Sequence, residues 1–297
     1  MSRLVWSAAK PRGIPSRFSM RLFDISILNG YKVHLANPSA IQQYEGLKHT
    51  DDQWDAFWLA HLLRLGILPE GYIYPKEDRP VRDILRRRGL YVKYRTSQIL
   101  SLQSAISRNL GYDMPGSAIK LLREEDAESM FDTSPLRLSA TIGIDTIDGL
   151  TQKIELIEEE VMSQAKLKPE FEPLLTTPGI GKILGMTVML EVGDIGRFPG
   201  VGDYSSYCRC VKSTRLTNKK KKGEGNRKNG NKYLGWAYVE AAHHAKRACA
   251  KAQSFYQRKK AKTMGAVATK ALANKLARAT YYVMRDQVPF DEDKLSG

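Results

Sequence analysis

The chain has 297 residues with 47 Lys and Arg against 32 Asp and Glu, a formal charge of +15 and a sequence pI near 9.6. A hydrophobic share of 42% is enough for a core and excludes a disordered protein, and the length points to two domains rather than one. No apolar run reaches the roughly eighteen residues of a membrane span, and Met1 to Phe18 lacks the apolar centre of a signal peptide, so a cytoplasmic protein is expected. Cys208, Cys210 and Cys249 have neither a disulfide framework's number nor zinc-ligand spacing and read as ordinary thiols.

Along the chain, residues 1–19 show neither helical nor strand period and read as an irregular leader. Met20 to Leu28 fits a short helix ending at Asn29-Gly30, and Tyr31 to Leu35 alternates as a strand. A second helix follows the Thr50-Asp51 cap and runs to Gly66; Ile67 to Tyr74 is extended. From Arg79 to Leu110 the pattern is one long basic helix, whose charged face includes Arg86 and Arg87. Ile147, Leu150, Ile154, Ile157 and Val161 then form a heptad seam, which fits an antiparallel hairpin or a contact between subunits.

After Pro173 the composition changes. Pro178-Gly179-Ile180-Gly181-Lys182 makes a turn into an apolar helix that closes at Glu191-Val192-Gly193-Asp194. Such a turn offers backbone N–H groups at a helix start, a geometry suited to phosphate, although a tight structural turn is the commoner reason for two glycines. Residues 212–232 hold nine Lys or Arg, one Glu and a single serine, Ser213, among Gly and Asn. Like charges this close repel, so the segment reads as a mobile loop satisfied by an anionic partner. Its candidate phosphate contacts are Arg215, Lys219, Lys220, Lys221, Lys222, Arg227 and Lys228, with Gly179, Gly181 and Lys182 of the turn and Arg86 and Arg87 of the long helix. Two Ala-rich helices follow, over 233–250 and 266–284, with small residues that allow close packing. His243 and His244 read as surface or packing residues.

Asp52 and Asp55 stand three residues apart at a helix start, which places both carboxylates on one face. Two such groups suit a hard cation such as Mg²⁺ and equally suit a capping cluster that complements the helix dipole. A two-metal phosphoryl-transfer site needs further ligands from other elements.

The run Gly30 to Pro38, then Glu45-Gly46-Leu47-Lys48-His49-Thr50-Asp51-Asp52-Gln53-Trp54-Asp55-Ala56, then Leu59 to Gly66, resembles the nuclease domain of the IS-one-ten insertion-sequence transposases. Pro178 to Gly181, Gly193-Asp194-Ile195-Gly196-Arg197-Phe198 and Lys228-Asn229-Gly230-Asn231-Lys232-Tyr233-Leu234 are similar to that family's second transposase domain. The resemblance covers the chain from about residue 20 to its end. It implies an α/β then mostly α chain: a partial RuvC-like, RNase H-type DEDD domain over 20–115, a helical coiled-coil connector over 116–172 and a helical transposase domain with a helix-hairpin-helix-like turn over 173–297. It also implies a recombinase of the bridge-RNA-guided type, with DNA as substrate, a structured guide RNA, a homo-oligomer (dimer or tetramer) and a place with the bacterial nucleoid.

In that family four acids hold Mg²⁺ and a serine attacks the phosphodiester. Asp52 and Asp55 match the third and fourth acids. The first two belong to strands ahead of the Met20 to Leu28 helix; Met1 to Phe18 contains no Asp or Glu, so the opening hairpin of the nuclease fold is expected to be missing, as in a truncated or frame-displaced product. Thr217 stands in the register of the family's serine, and Ser213 is the serine candidate nearby. A threonine is stiffer at χ1 and a slower nucleophile. The expected function is therefore Mg-dependent DNA cleavage and rejoining in transposition, possible inactivity included; the alternatives are a non-catalytic nucleic-acid-binding remnant or a RuvC-like junction nuclease.

Overall fold

The structure is a computed structural model that describes residues 3–7, 23–37, 41, 52–165, 168–211, 214–217, 220–224 and 229–295. The chain divides into two compact units, Met1–Glu77 and Asp78–Gly297.

The first unit contains strand β1 (Arg3–Ser7), helix α1 (residues 23–28), strand β2 (Lys32–Ala36) and helix α2 (Asp52–Arg64). β1 runs parallel to β2, with Arg3 opposite Lys32 and Ser7 opposite Ala36. A parallel pair needs a crossover, and the connection between the two strands contains α1. This corrects the reading of the leader as irregular: Leu4-Val5-Trp6 is β-prone but too short to show a period until a partner is present. A strand therefore precedes α1. On its far side Ala36 bridges antiparallel to Glu70, so β2 has a neighbour on each edge. Its His34 and Ala36 are buried, and Ala36, Ile41, Leu59, Leu62 and Leu68 make the unit's core. The expected Thr50-Asp51 cap lies outside the described residues.

The second unit is mostly helical. It begins with α3 (Asp78–Leu110), α4 (Gly116–Ile119), α5 (Glu124–Met130) and α6 (Ser134–Ala165). α3 and α6 lie antiparallel: Arg88 pairs with Glu158 at 2.7 Å, and farther along α3 Arg95 donates to Thr151 Oγ1 at 3.1 Å, earlier in α6. Ile99, Leu102 and Ile106 pack with Ala140, Ile144 and Ile147, while Leu85, Ile157 and Val161 join the unit's larger core. Of the two readings of the heptad seam the antiparallel hairpin is the one seen: α3 of the same chain packs along it. α3, expected with residues 20–115, packs along α6 in the unit that starts at Asp78.

Next come α7 (Phe171–Leu175), α8 (Lys182–Val192), a 3-10 turn (Ile195–Arg197), α9 (Val201–Tyr207), strands β3 (Thr214–Thr217) and β4 (Lys220–Glu224), α10 (Lys232–Ala248), α11 (Ala250–Lys260) and α12 (Gly265–Asp286). α8 is covered on every side, with every residue from Leu184 to Val192 buried, which makes it the central helix. Ala237, Ala241, Ala242 and Ala245 of α10 are almost fully covered, as their small side chains allow close approach.

Candidate nucleic-acid interface

α7, the turn at 176–181 and α8 form a helix-turn-helix pair. Gly179 has φ +80°, and a Cβ there would lie 2.1 Å from the Ala241 carbonyl oxygen and 2.6 Å from the Ala245 nitrogen. Its glycine is therefore demanded by contact with the α10 backbone, and the turn is seated on α10. Gly181 differs: it is exposed, extended at φ −88° and ψ −177°, and a Cβ would meet nothing within 4 Å. No side chain caps α8 at this residue, so the first-turn N–H groups of the helix and the exposed Lys182 remain open to an anion.

Within the basic segment, where a mobile loop was expected, the described residues 214–217 and 220–224 are paired strands. β3 and β4 pair antiparallel, with Thr214 opposite Glu224 and Thr217 opposite Lys220, and a register shift between Arg215 and Leu216. Thr214, Leu216 and Thr217 supply β-formers that the charge run conceals. Thr217 ends β3, Lys220 is exposed, and β4 carries Lys221 and Lys222. Ser213, Lys219, Arg227 and Lys228 lie outside the described residues, as do the side chains of Arg215, Thr217, Lys221 and Lys222.

Both ends of the hairpin segment are fastened to α9. The Cys210 amide donates to Ser205 O at 3.0 Å, and the Asn231 amide donates to Tyr207 O at 2.7 Å. Arg209 Nε donates to Gly230 O at 3.0 Å. At Gly230, φ +86°, a Cβ would lie 2.4 Å from Tyr207 O, so the chain closes here only with glycine.

Asn231 also joins the hairpin to the core. Its Oδ1 accepts from the Tyr233 and Leu234 amides at 2.8 and 3.2 Å and caps α10, while its Nδ2 donates to Glu191 Oε2 at 2.7 Å. Glu191, the buried acid of α8, receives Arg86 Nε and Nη2 at 2.5 and 2.7 Å. The guanidinium lies 4.5 Å above the Tyr233 ring. Burial works against its charge, yet the Glu191 hydrogen bonds and charge hold its pKa above the ordinary value. Arg86 is thus occupied in the core, which corrects its reading as a phosphate contact; Arg87 is exposed. Sequence reasoning missed Glu191 and Asn231. A lone acid within an apolar helix is the signal that points to the first of them.

Between α9, α10 and α12 the Tyr204 and Tyr238 hydroxyls hydrogen-bond, and Tyr238 meets Thr280 Oγ1 at 2.6 Å. Burial raises the pKa of both tyrosines, so they stay protonated. Cys208, Cys210 and Cys249 are free, buried thiols. His243 and His244 accept from Lys246 and Arg247 at 3.0 and 3.1 Å, contacts made within α10 itself.

The carboxylate pair belongs to the other unit. Asp55 lies on α2 with Oδ1 shielded and without a hydrogen-bond partner; the Asp52 side chain lies outside the described residues. Among the described residues no group of three His, Cys, Asp or Glu could hold a metal, and no helix is long and apolar enough to cross a membrane.

Residues 172–257 match the family described as Transposase IS116/IS110/IS902 family, a span from α7 through most of α11 that takes in the turn, Glu191, the hairpin and α10. Over that span the chain is similar to the transposase domain of this family. No curated protein matches it.

Proposed function

We propose that the chain is a DNA-binding transposase of an insertion sequence, which grips the phosphate backbone with the α8 start and the β3–β4 hairpin. One observation carries the reading: a segment with nine Lys or Arg is fastened at both ends to the core of the family-matched domain. The turn sits beside Ala241 and the hairpin base at Asn231; ten residues of α10 separate them by about 15 Å at about 1.5 Å per residue. Two cationic or amide-rich points at that spacing can rest on separate phosphates of one backbone.

The nucleophile on this reading is the hydroxyl of Ser213 or Thr217. Its oxygen bonds to phosphorus as the P–O bond to one sugar breaks, and the proton it gives up is balanced by the one the departing sugar oxygen takes up to leave as a hydroxyl; hairpin cations offset charge gathering on the phosphate oxygens. Asp52 and Asp55 would hold Mg²⁺, for which the unpartnered Asp55 Oδ1 is a suitable hard donor, and the ion would supply the positive charge that phosphoryl transfer needs. A structured guide RNA and a second copy of the chain are the further partners implied.

Alanine at Lys219 to Lys222 is expected to weaken binding to every duplex sequence alike. It should also flatten the salt dependence by about 0.9 in log–log slope for each phosphate the variant no longer neutralises. An unchanged slope contradicts the hairpin's role. For catalysis, supercoiled plasmid in Mg²⁺ should be recombined by the wild type and not by Asp52→Ala.

A second reading, a non-catalytic nucleic-acid binder, is favoured by β1. Its five residues, Arg3 to Ser7, include no carboxylate, whereas the family resemblance places an acid on a strand ahead of α1. Tight binding without any plasmid product would select it.

A further inference from the structure

The positive charge of the chain lies in two places. Residues 212–232 hold nine of the basic side chains, and residues 241–285 hold seven Lys, four Arg and no Asp or Glu. Elsewhere 27 Lys and Arg face 31 Asp and Glu, so the rest of the chain is slightly acidic. The second stretch is not a loop. It comprises the end of α10, all of α11 and nearly all of α12, packed against one another.

Its cations converge. Arg258, Lys259 and Lys275 place their charged groups 5.8, 5.8 and 4.8 Å from the centroid of a single ring, Phe255. Arg258 and Lys259 are exposed and adjoin Lys260 and Lys262, which are exposed too. Phe255 itself is buried, so the patch presents charge over a covered ring. Burial, then the like charges of Arg258 and Lys259, lower the pKa of the Lys275 ammonium. Three cations held together by a folded helix pair repel one another, and an anion laid across them offsets that repulsion.

We propose that the Arg258–Lys259–Lys275 face of the α11–α12 hairpin is a second phosphodiester-binding surface, separate from β3–β4, which holds another segment of nucleic acid. The choice of a nucleic-acid backbone over other anions rests on the transposase reading; the existence of the patch does not. Its rigidity distinguishes it from the hairpin. Cations fixed on helices select a backbone of matching shape, either a DNA duplex or a folded RNA.

The test measures binding of a labelled DNA duplex, a labelled RNA stem-loop and phosphatidylserine vesicles against salt. It uses the full chain, Arg258→Gln/Lys259→Gln, the same pair with Lys275→Gln, and the Lys219 to Lys222 alanine variant. Gln keeps part of each side chain beside Phe255, and an unchanged thermal melt of the pair variant confirms its fold. The expected result is a loss of about 1.8 in log–log slope for the pair and about 2.7 for the triple on duplex DNA, at about 0.9 per phosphate; RNA losing more than DNA would assign the surface to RNA. The hairpin variant's loss should add to these. Slopes unchanged for both polymers overturn the proposal, as does a wild-type preference for vesicles that the pair variant removes. If the hairpin variant alone leaves binding intact, the proposed role of the hairpin fails and this surface stands.

Discussion

Glu191 receives both Nε and Nη2 of Arg86, with its own side chain only 2% exposed, and the same carboxylate accepts from Asn231 at the foot of the basic hairpin. One buried acid therefore connects α3, α8 and the start of α10. Removing one partner of such a pair leaves the other charged and buried, which costs about 3 to 5 kcal/mol when both are inaccessible. Arg86 is 30% exposed, so Glu191→Ala is expected at the lower end, about 3 kcal/mol in urea unfolding. Arg86→Lys keeps a charge but loses the two-pronged contact and should cost less.

Gly179 and Gly181 look alike in sequence and should behave differently. A Cβ at Gly179 meets the Ala241 carbonyl oxygen at 2.1 Å on a backbone already at φ +80°, so Gly179→Ala is expected to destabilise by about 2 kcal/mol or more and to displace the turn from α10. Gly181→Ala enters open space at an ordinary φ and should change stability by less than about 0.5 kcal/mol. It also brings a methyl group to the α8 amides. If these amides bind phosphate, Gly181→Ala weakens duplex binding with an unchanged melting temperature.

Elements with a long period were legible before folding. The basic helix expected over 79–110 is α3, the seam at 147–161 lies in α6, and the Pro178 to Gly181 turn separates two helices. What was hidden depends on partners far away in the chain. β1 offers three apolar residues and becomes a strand through β2, some thirty positions on. Composition argued for a mobile loop at 212–232, while local β-formers and the anchors at Arg209, Gly230 and Asn231 give it a hairpin. The Arg86 to Glu191 pair spans 105 positions, and no spacing rule reaches that far. The acid-free stretch at 241–285 is plain in the sequence, but its alanines point toward packing rather than binding.

Ile147 tests whether the seam belongs to one chain. It is 1% exposed and packs with Ile99, Leu102 and Ile106 of α3. Ile147→Ala should cost about 2 to 5 kcal/mol through the reduced burial and the cavity left behind. Because its partners are in the same molecule, the loss should not depend on protein concentration. A destabilisation that vanishes on dilution, or a shift in sedimentation from dimer to monomer, would return the seam to a subunit contact.

Alkaline pH should loosen the domain through its buried thiols. Burial pushes Cys210 from 9.0 to about 11, and Cys208 is raised as well, by burial first and by the neighbouring Cys210. The sign follows from which state ionises first. Above pH 9 an unfolded thiol loses its proton while the folded one keeps it, so the unfolded state gains and stability falls as pH rises toward 11. A displacement of about two pH units corresponds to about 2.7 kcal/mol for Cys210, at about 1.36 kcal/mol per unit. Urea unfolding between pH 8 and pH 11 should show this decline, and Cys210→Ala should remove a part of it while leaving the stability below pH 8 lowered by the poorer packing. A decline of the same size in Cys210→Ala would assign the alkaline loss to other groups, with Tyr204 and Tyr238, whose hydroxyls burial also raises, as the next pair to replace by Phe.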